Sequence, residues 1–343
     1  MNPEITKTDY EKYTVYSKKN NLPSSFRDVP MVLALGFFDG VHLGHQQLLG
    51  KAVEEGTRLG CGSAVLTFQN HPLTEIFPRY TPFLLTSNDV KAERILDLGI
   101  DYVFMVPFTN KLRKLSPKHF LTDVLLRNFD IRALVAGFNY TFGFKGEGDS
   151  ELLKKFGSEY DFDVFIEKPH CENELPVSST VIRELLGTGR VEDAAELLGR
   201  PYSITGPVQS GKKLGREYKV PTANIRLDPK QLLPQSGVYF TRFTVDGKSY
   251  DGLTNLGYNP TFEKHPYAVE TFIYDFDRNI YGKEVRLEFL NHIRGEMKFP
   301  SVDALFAQIR QDILSADTLY RRPRTKKTAA AAPVSPASES SAE

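Results

Sequence analysis

Two histidines three residues apart, His42 and His45, close the string Gly36-Phe37-Phe38-Asp39-Gly40-Val41-His42-Leu43-Gly44-His45. An apolar run precedes them and a helical pattern begins with them, so both imidazoles fall on one face of a first helical turn. Gly40 and Gly44 allow a tight turn and close backbone approach to a ligand. A helix start also presents unpaired N–H groups and the positive end of the helix dipole, which suits an anion such as phosphate. Two imidazoles there can donate hydrogen bonds to phosphate oxygens as charge develops in a transition state. Zinc is disfavoured, because no third and fourth ligand stands at metal spacing. Asp39, read alone, is equally a plain helix cap.

A second set lies downstream. Gly211-Lys212-Lys213-Leu214-Gly215-Arg216 is a basic, glycine-punctuated loop able to wrap phosphates, but it lacks the order of a Walker loop. Thr222 and Asn224 follow in Pro221-Thr222-Ala223-Asn224; two apart in a strand, they face the same side and offer neutral oxygens suited to magnesium. Ser178-Ser179-Thr180 before an apolar helix is a capping signal, with Ser179 or Thr180 as the expected cap and Arg183 one turn on.

The elements that must carry these residues change character along the chain. From Pro30 to about Gly187, strand-like runs (31–38, 63–68, 101–108, 131–138) alternate with helical stretches (43–58, 90–99, 117–129). Such alternation implies βαβ units and a parallel sheet, with ligands beyond the carboxyl ends of its strands, here just after Phe38, Phe68 and Phe138. After Arg190 a short helix ends at Gly199, and Arg200-Pro201 reads as a hinge. Alternating runs with Asp-Gly and Asn-rich turns then predict a small antiparallel barrel, closed by a helix from Val302 to Ser315. The expected division is an extension (1–29), a first domain (30–187), a linker helix and hinge (188–201), a second domain (202–320) and a disordered tail (321–343).

The first string is similar to the HxGH signature of nucleotidyltransferases, and its FDGVHxGH form resembles that of bacterial bifunctional riboflavin kinase/FAD synthetases. Leu66–Pro72 stands at that family's TF-x-x-HP segment, with Gln69 and Asn70 replacing its commoner acidic-proline pair. The loop Gly137–Asp149 resembles the family's flavin-side loop at Asn139, Phe142 and Gly143, and Val177–Leu186 resembles its SSTxIR motif. The PTAN box (Pro221–Asn224) resembles that of riboflavin kinases, and Glu270 stands where they carry a catalytic base. By itself Glu270 would read as an exposed strand glutamate. The likeness spans roughly residues 30 to 320; Lys219 departs from a family glycine, Val220 from an aromatic, and Phe272 from a polar residue.

The resemblance implies an α/β, Rossmann-like nucleotidyltransferase domain followed by a six-stranded antiparallel β-barrel kinase domain. It implies riboflavin, FMN and ATP as substrates and Mg²⁺ as cofactor, with ATP as co-substrate of both steps. In the first domain it assigns Gly36, Phe37, Phe38, Asp39, Gly40, His42, Gly44, His45, Ser178, Ser179, Thr180 and Arg183 to ATP, with His42, His45 and Arg183 catalytic. In the second it assigns Gly211, Lys213, Gly215, Arg216, Thr222 and Asn224 to ATP, the last two also to the metal, with Glu270 catalytic. Phe68, Asn139, Phe142, Gly143 and Glu270 are the implied flavin contacts. Two other readings stay open: an FMN adenylyltransferase whose kinase half is impaired at Lys219, and a flavin- or nucleotide-binding regulator without turnover.

Bulk properties narrow the classes. The 343 residues, 41% hydrophobic and 25% charged, suit two soluble globular domains. Forty-three basic residues balance 43 acidic ones, so no overall field recommends nucleic acid or an anionic membrane. Cys61 and Cys171 form no CxxC pair, and a bridge between them is disfavoured. The polar N-terminus and the lack of a spanning apolar run predict a cytoplasmic protein. Self-association is left open by the sequence.

Overall fold

In a computed structural model, residues 5–9, 13–19, 22–77, 79, 82–172, 175–210, 218, 220–258 and 267–320 are described. The four expected strands of the first half form, together with a fifth: β3 (Pro30–Leu35), β4 (Gly62–Phe68), β5 (Tyr102–Val106), β6 (Asp130–Gly137) and β7 (Asp163–Glu167). They run parallel in the order β5-β4-β3-β6-β7. The N-terminal extension adds a hairpin, β1 (Thr6–Asp9) and β2 (Thr14–Ser17), antiparallel on the free edge of β5. In β3, Met31, Leu33 and Leu35 enter one core while Val32 and Ala34 enter the other. Helices cover both faces, so the strand reads as a continuous apolar run rather than an alternating one. Chain order reverses across β3, with β4 on one side and β6 on the other, which opens a crevice at their carboxyl ends.

The helix Val191–Leu198 ends on Gly199 at φ 70°, as expected, and the helix Leu43–Leu59 ends on Gly60 at φ 64°. Three expectations shift. The first strand stops at Leu35, because Phe38 and Val41 turn to φ 54° and 44°. The stretch 117–129 begins as an α-turn but continues as a π-helix, Phe120–Leu126. The last helix runs to Tyr320, beyond Ser315, because Ala316 packs on the outer barrel residues Val238, Phe240 and Leu253.

After a two-residue hairpin, β8 (Cys171–Glu172) with β9 (Leu175–Pro176), the second half closes a six-stranded barrel. Its strands are β10 (Tyr202–Gln209), β11 (Thr222–Ile225), β12 (Gly237–Val245), β13 (Lys248–Tyr258), β14 (Tyr267–Ile273) and β15 (Glu284–Gly295). Around the barrel they lie in the order β10-β11-β14-β13-β12-β15, every neighbour antiparallel. Alternation places Tyr239, Phe243, Leu256 and Val269 inside, with three buried threonines, Thr241, Thr254 and Thr271, bonded in a row at 2.8 and 2.9 Å. Leu85, from the first half, is buried in this barrel cluster. Beside it the Leu84 N–H donates to Lys230 O at 2.7 Å and the Leu232 N–H donates to Leu84 O at 2.9 Å.

Candidate active sites

The loop after β3 is held from three sides. Asp39 is 2% exposed and accepts from the N–H groups of Leu85 (3.0 Å) and Thr86 (3.2 Å). It also pairs with Arg183, whose Nε donates to Phe83 O at 3.0 Å. Arg200 donates to the carbonyls of Gly40 and Val41, so the residue read as part of a hinge clamps this loop. Gly40 has φ 81°, and a Cβ there would stand 2.7 Å from Leu85 Cδ1; no other residue type fits without a shift.

Asp39 therefore does not cap the helix. His42 does, its Nδ1 accepting from the His45 N–H at 3.3 Å. Both rings stack 3.6 Å apart at 17°, which confirms the shared face. Because Nδ1 is an acceptor, neutral His42 carries its proton on Nε2. Burial, then Arg200, His170 and Arg183, push its pKa from 6.5 down to about 4. Burial also pushes His45 well below its ordinary value, and its Nδ1, sealed from solvent, meets no partner among the described residues.

The expected caps of the SSTxIR helix move by one residue. Ser178 caps the helix Ser179–Gly187, accepting from the Val181 N–H at 3.3 Å. Ser179 instead donates to Asp39 O at 3.0 Å, and Thr180 is exposed. Phe38 also departs from its expected place on the nucleotide: 1% exposed, it packs edge-on against His45.

Across the crevice, Asn139 and Phe138 are exposed beyond β6, and half-buried Phe68 ends β4 against Phe108. Phe142, expected on the flavin, is turned inward among Phe120, Tyr140 and Phe156, because its bridge to Gly148 closes the loop over it. Gly143 serves that same turn: at φ 77° its Cβ would fall 2.6 Å from Pro117 N. Gly36 likewise makes room for the ring of Phe38 at 2.8 Å.

On the barrel, Asn224 pairs directly with Glu270 across β11 and β14, and Glu270 pairs with Asn255 across β13. Direct partners share a face, so Asn224, Glu270 and Asn255 form one polar row, with Thr222 two residues along from Asn224. Phe272, the departure from a polar type, pairs with Thr222 and packs on Tyr274. A cavity of about 380 Å³ opens beside Thr222, with Phe276, Arg278, Asn279 and Tyr281 on its wall. Gly211, Lys213, Gly215, Arg216 and Lys219 lie outside the described residues, as does the tail 321–343.

The family model for FAD synthetase matches residues 26–181, and that for riboflavin kinase matches residues 198–320. The chain is 39% identical to the bifunctional riboflavin kinase/FMN adenylyltransferase of Listeria monocytogenes, over 87% of this chain and 95% of that protein. The chain belongs to the bifunctional riboflavin kinase/FMN adenylyltransferase family. Family members from Bacillus subtilis (37% identical, 82% of this chain, 90% of that protein) and Escherichia coli K12 (35%, 84% and 92%) are similar over both halves. A crystal structure described as a macrolide-efflux protein from Streptococcus pneumoniae superposes with a TM-score of 0.77 at 28% identity, covering 87% of this chain and 98% of that one. Among the described residues, no helix is long and apolar enough to cross a membrane, and no His/Cys/Asp/Glu cluster could hold a metal. Cys61 and Cys171 are both free.

Several side chains around these two candidate sites escaped the sequence reading. Arg200 and Asn255 are two, and buried Lys91 is a third. His71, of the TF-x-x-HP segment, caps the turn Pro72–Ile76 with its side chain, its ring packs edge-on against Phe37, and burial lowers its pKa from 6.5 to about 4.

An acid-side instability follows. His42 and His71 bind a proton more weakly when folded, so the unfolded chain takes up protons first as pH falls. Their contribution to stability is complete above about pH 6.5 and is lost as pH falls through about 4. Urea midpoints at pH 7, 5.5 and 4.5 should decline in that order. His71→Asn, which keeps a capping oxygen, should show a shallower decline; a decline equal to wild type would remove His71 from the account.

Proposed function

We propose that the crevice beyond β3 and β6 adenylylates FMN and that the outer face of the barrel phosphorylates riboflavin, so that one chain converts riboflavin to FMN and then to FAD. The observation that carries the reading is the pairing of a stacked HxGH dyad at the strand-order reversal with a PTAN strand set directly against Glu270.

In the first reaction a phosphate oxygen of FMN attacks the α-phosphorus of ATP, a new P–O bond forms, the α–β bridging bond breaks and pyrophosphate leaves. The nucleophile is already an anion and needs no base, so positioning and charge stabilisation carry the step. His42 offers Nε2–H from the helix start, with His45 beside it, and Arg183 supplies a fixed cation from the facing helix. Asp39 is proposed to orient Arg183 rather than to touch ATP. Phe68 and Asn139 face the flavin, with Phe142 and Gly143 shaping the loop behind them.

In the second reaction Glu270 takes the proton of the terminal ribityl hydroxyl as that oxygen attacks the γ-phosphorus and ADP leaves. The cavity beside Thr222 receives the nucleotide, with Arg278 on its wall. A hydroxyl and an amide oxygen on one strand face suit a hard divalent cation, so Thr222 and Asn224 would hold Mg²⁺, which offsets phosphate charge when bound. The boundary between the two units is placed at 188–201, and the work of both is cytoplasmic, calling for neither nucleic acid nor membrane.

The test is a time course with riboflavin, ATP and Mg²⁺, its products separated by chromatography. FMN should appear first and FAD follow. Untouched riboflavin with conversion of supplied FMN would favour the single-activity reading, and binding of either flavin without product would favour a regulator.

A further inference from the structure

Lys91 lies in the helix Asn88–Asp97 with its side chain driven into the protein; the residue is 2% exposed. Its Nζ donates to Phe68 O at 2.9 Å, Phe37 O at 3.3 Å and Thr67 Oγ1 at 3.4 Å, and stands 4.5 Å from the centre of the Phe37 ring. Among the described residues no carboxylate comes within ion-pair distance of it. A lysine is rarely buried without such a partner, because leaving water costs an ammonium more than neutral hydrogen bonds restore. A methionine would fill the same space without that penalty, so the charge itself needs a reason.

The placement supplies one. Phe37 follows β3, while Thr67 and Phe68 end β4, and these are the adjacent parallel strands that border the crevice. We propose that Lys91 is a positioning residue of adenylyl transfer: its ammonium ties the carboxyl ends of β3 and β4 at a fixed separation and leaves a buried positive charge beneath the site, to be balanced by the phosphates of the substrates. The inference rests on the crevice being the adenylyl-transfer site. Three titratable groups face the ammonium: Asp39 acts on it with opposite charge, and His45 and His71 are each held neutral partly by it. Burial lowers its own pKa from 10.5 to about 8, so the tie can be undone within an accessible pH range.

Three enzymes decide the matter: wild type, Lys91→Met and Lys91→Arg, each assayed for FMN adenylylation and, in the same sample, riboflavin phosphorylation. Lys91→Met should lose about ten- to a hundredfold in kcat/KM for adenylylation, from misplacement of the crevice walls, while phosphorylation holds within about twofold of wild type. Wild-type adenylylation should decline above about pH 8 as the ammonium deprotonates. Lys91→Arg keeps a permanent charge, so it should recover part of the lost rate and show no such decline. If Lys91→Met fails to fold, the wild-type and Lys91→Arg profiles still test the idea. Wild-type kcat/KM in Lys91→Met, a flat wild-type profile, or an unchanged alkaline limb in Lys91→Arg would each overturn it. A wild-type enzyme that never forms FAD would instead overturn the assignment of the crevice.

Discussion

Glu270→Gln is expected to slow riboflavin phosphorylation by about 10²- to 10⁴-fold, the usual span for a lost general base, and to leave FMN adenylylation unchanged. The carboxylate faces Asn224 on one side and Asn255 on the other, in the register of three adjoining strands. Glutamine keeps the size and the strand but cannot accept the proton of the attacking hydroxyl. Thr222 and Asn224 remain, so the loss should fall in kcat, with KM for ATP little altered. Initial rates of FMN formation from riboflavin give the comparison, and FAD formation from supplied FMN is the control within the same molecule. A kcat within about threefold of wild type would return Glu270 to the role of a strand glutamate beside the site.

Phe272 sharpens that expectation. Its aromatic side chain stands beside Tyr274 on the barrel exterior, where Val238, Phe240 and Leu253 meet the last helix. The exchange of a polar residue for Phe272 is thus absorbed by packing one residue pair away from Glu270. The helix is tied to the barrel by Arg294, which grips Asp312 at 2.7 to 3.1 Å, and its Phe306 stacks on Tyr218 at 4.0 Å.

What the sequence made legible is what depends on near neighbours. The run Met31–Leu35, the helix from Leu43 and the helix stop at Gly199 follow from periodicity and local backbone preference, and so does the shared face of His42 and His45. The losses come where a distant partner outbids a local one. Asp39 precedes a helix and reads as its cap, but Leu85, Thr86 and Arg183 claim its carboxylate, and His42 takes the capping place. Lys91, between Val90 and Ala92, reads as one of a helix's solvated charges; its acceptors lie 54 and 23 residues away. Phe142 matched a flavin loop by position, yet Gly148 closes a bridge that turns its ring inward. The hairpin of β1 and β2 was hidden for a related reason: such short strands gain their stability from the sheet edge they join, not from their own composition.

The two sites meet in a short segment. Phe83 to Thr86 holds Arg183 and Asp39 through its carbonyl and N–H groups, while Leu84 bonds to Lys230 and Leu232 in the connection between β11 and β12. Arg286 of β15 adds an ion pair to Glu93, two residues from Lys91 in the same helix. The strand bearing Thr222 and Asn224 thus feeds a connection bonded to the segment that holds Asp39 and Arg183. That contact is short and largely backbone, so single side-chain changes in either site should leave the other working, which is why each half can serve as the other's control.

His42→Asn is expected to reduce adenylyl transfer by about 10²- to 10³-fold, the loss typical of one donor withdrawn from a transition state, without unfolding the domain. The cap uses Nδ1, which accepts from the His45 N–H, and the oxygen of asparagine can take that place as a favoured capping group. What asparagine lacks is the farther nitrogen. In His42 that atom carries the proton, because the near nitrogen accepts and burial keeps the ring neutral down to about pH 4. His42→Gln is the complement: its amide extends toward the far position while the short capping contact is lost. Asparagine should therefore give a stable and slow enzyme, and glutamine a less stable one with more of its rate. Wild-type rate in His42→Asn with a loss in His42→Gln would place the function of His42 in the cap. If both kept the wild-type rate, neither nitrogen would act on the phosphates, and the charge stabilisation would pass to His45 and Arg183.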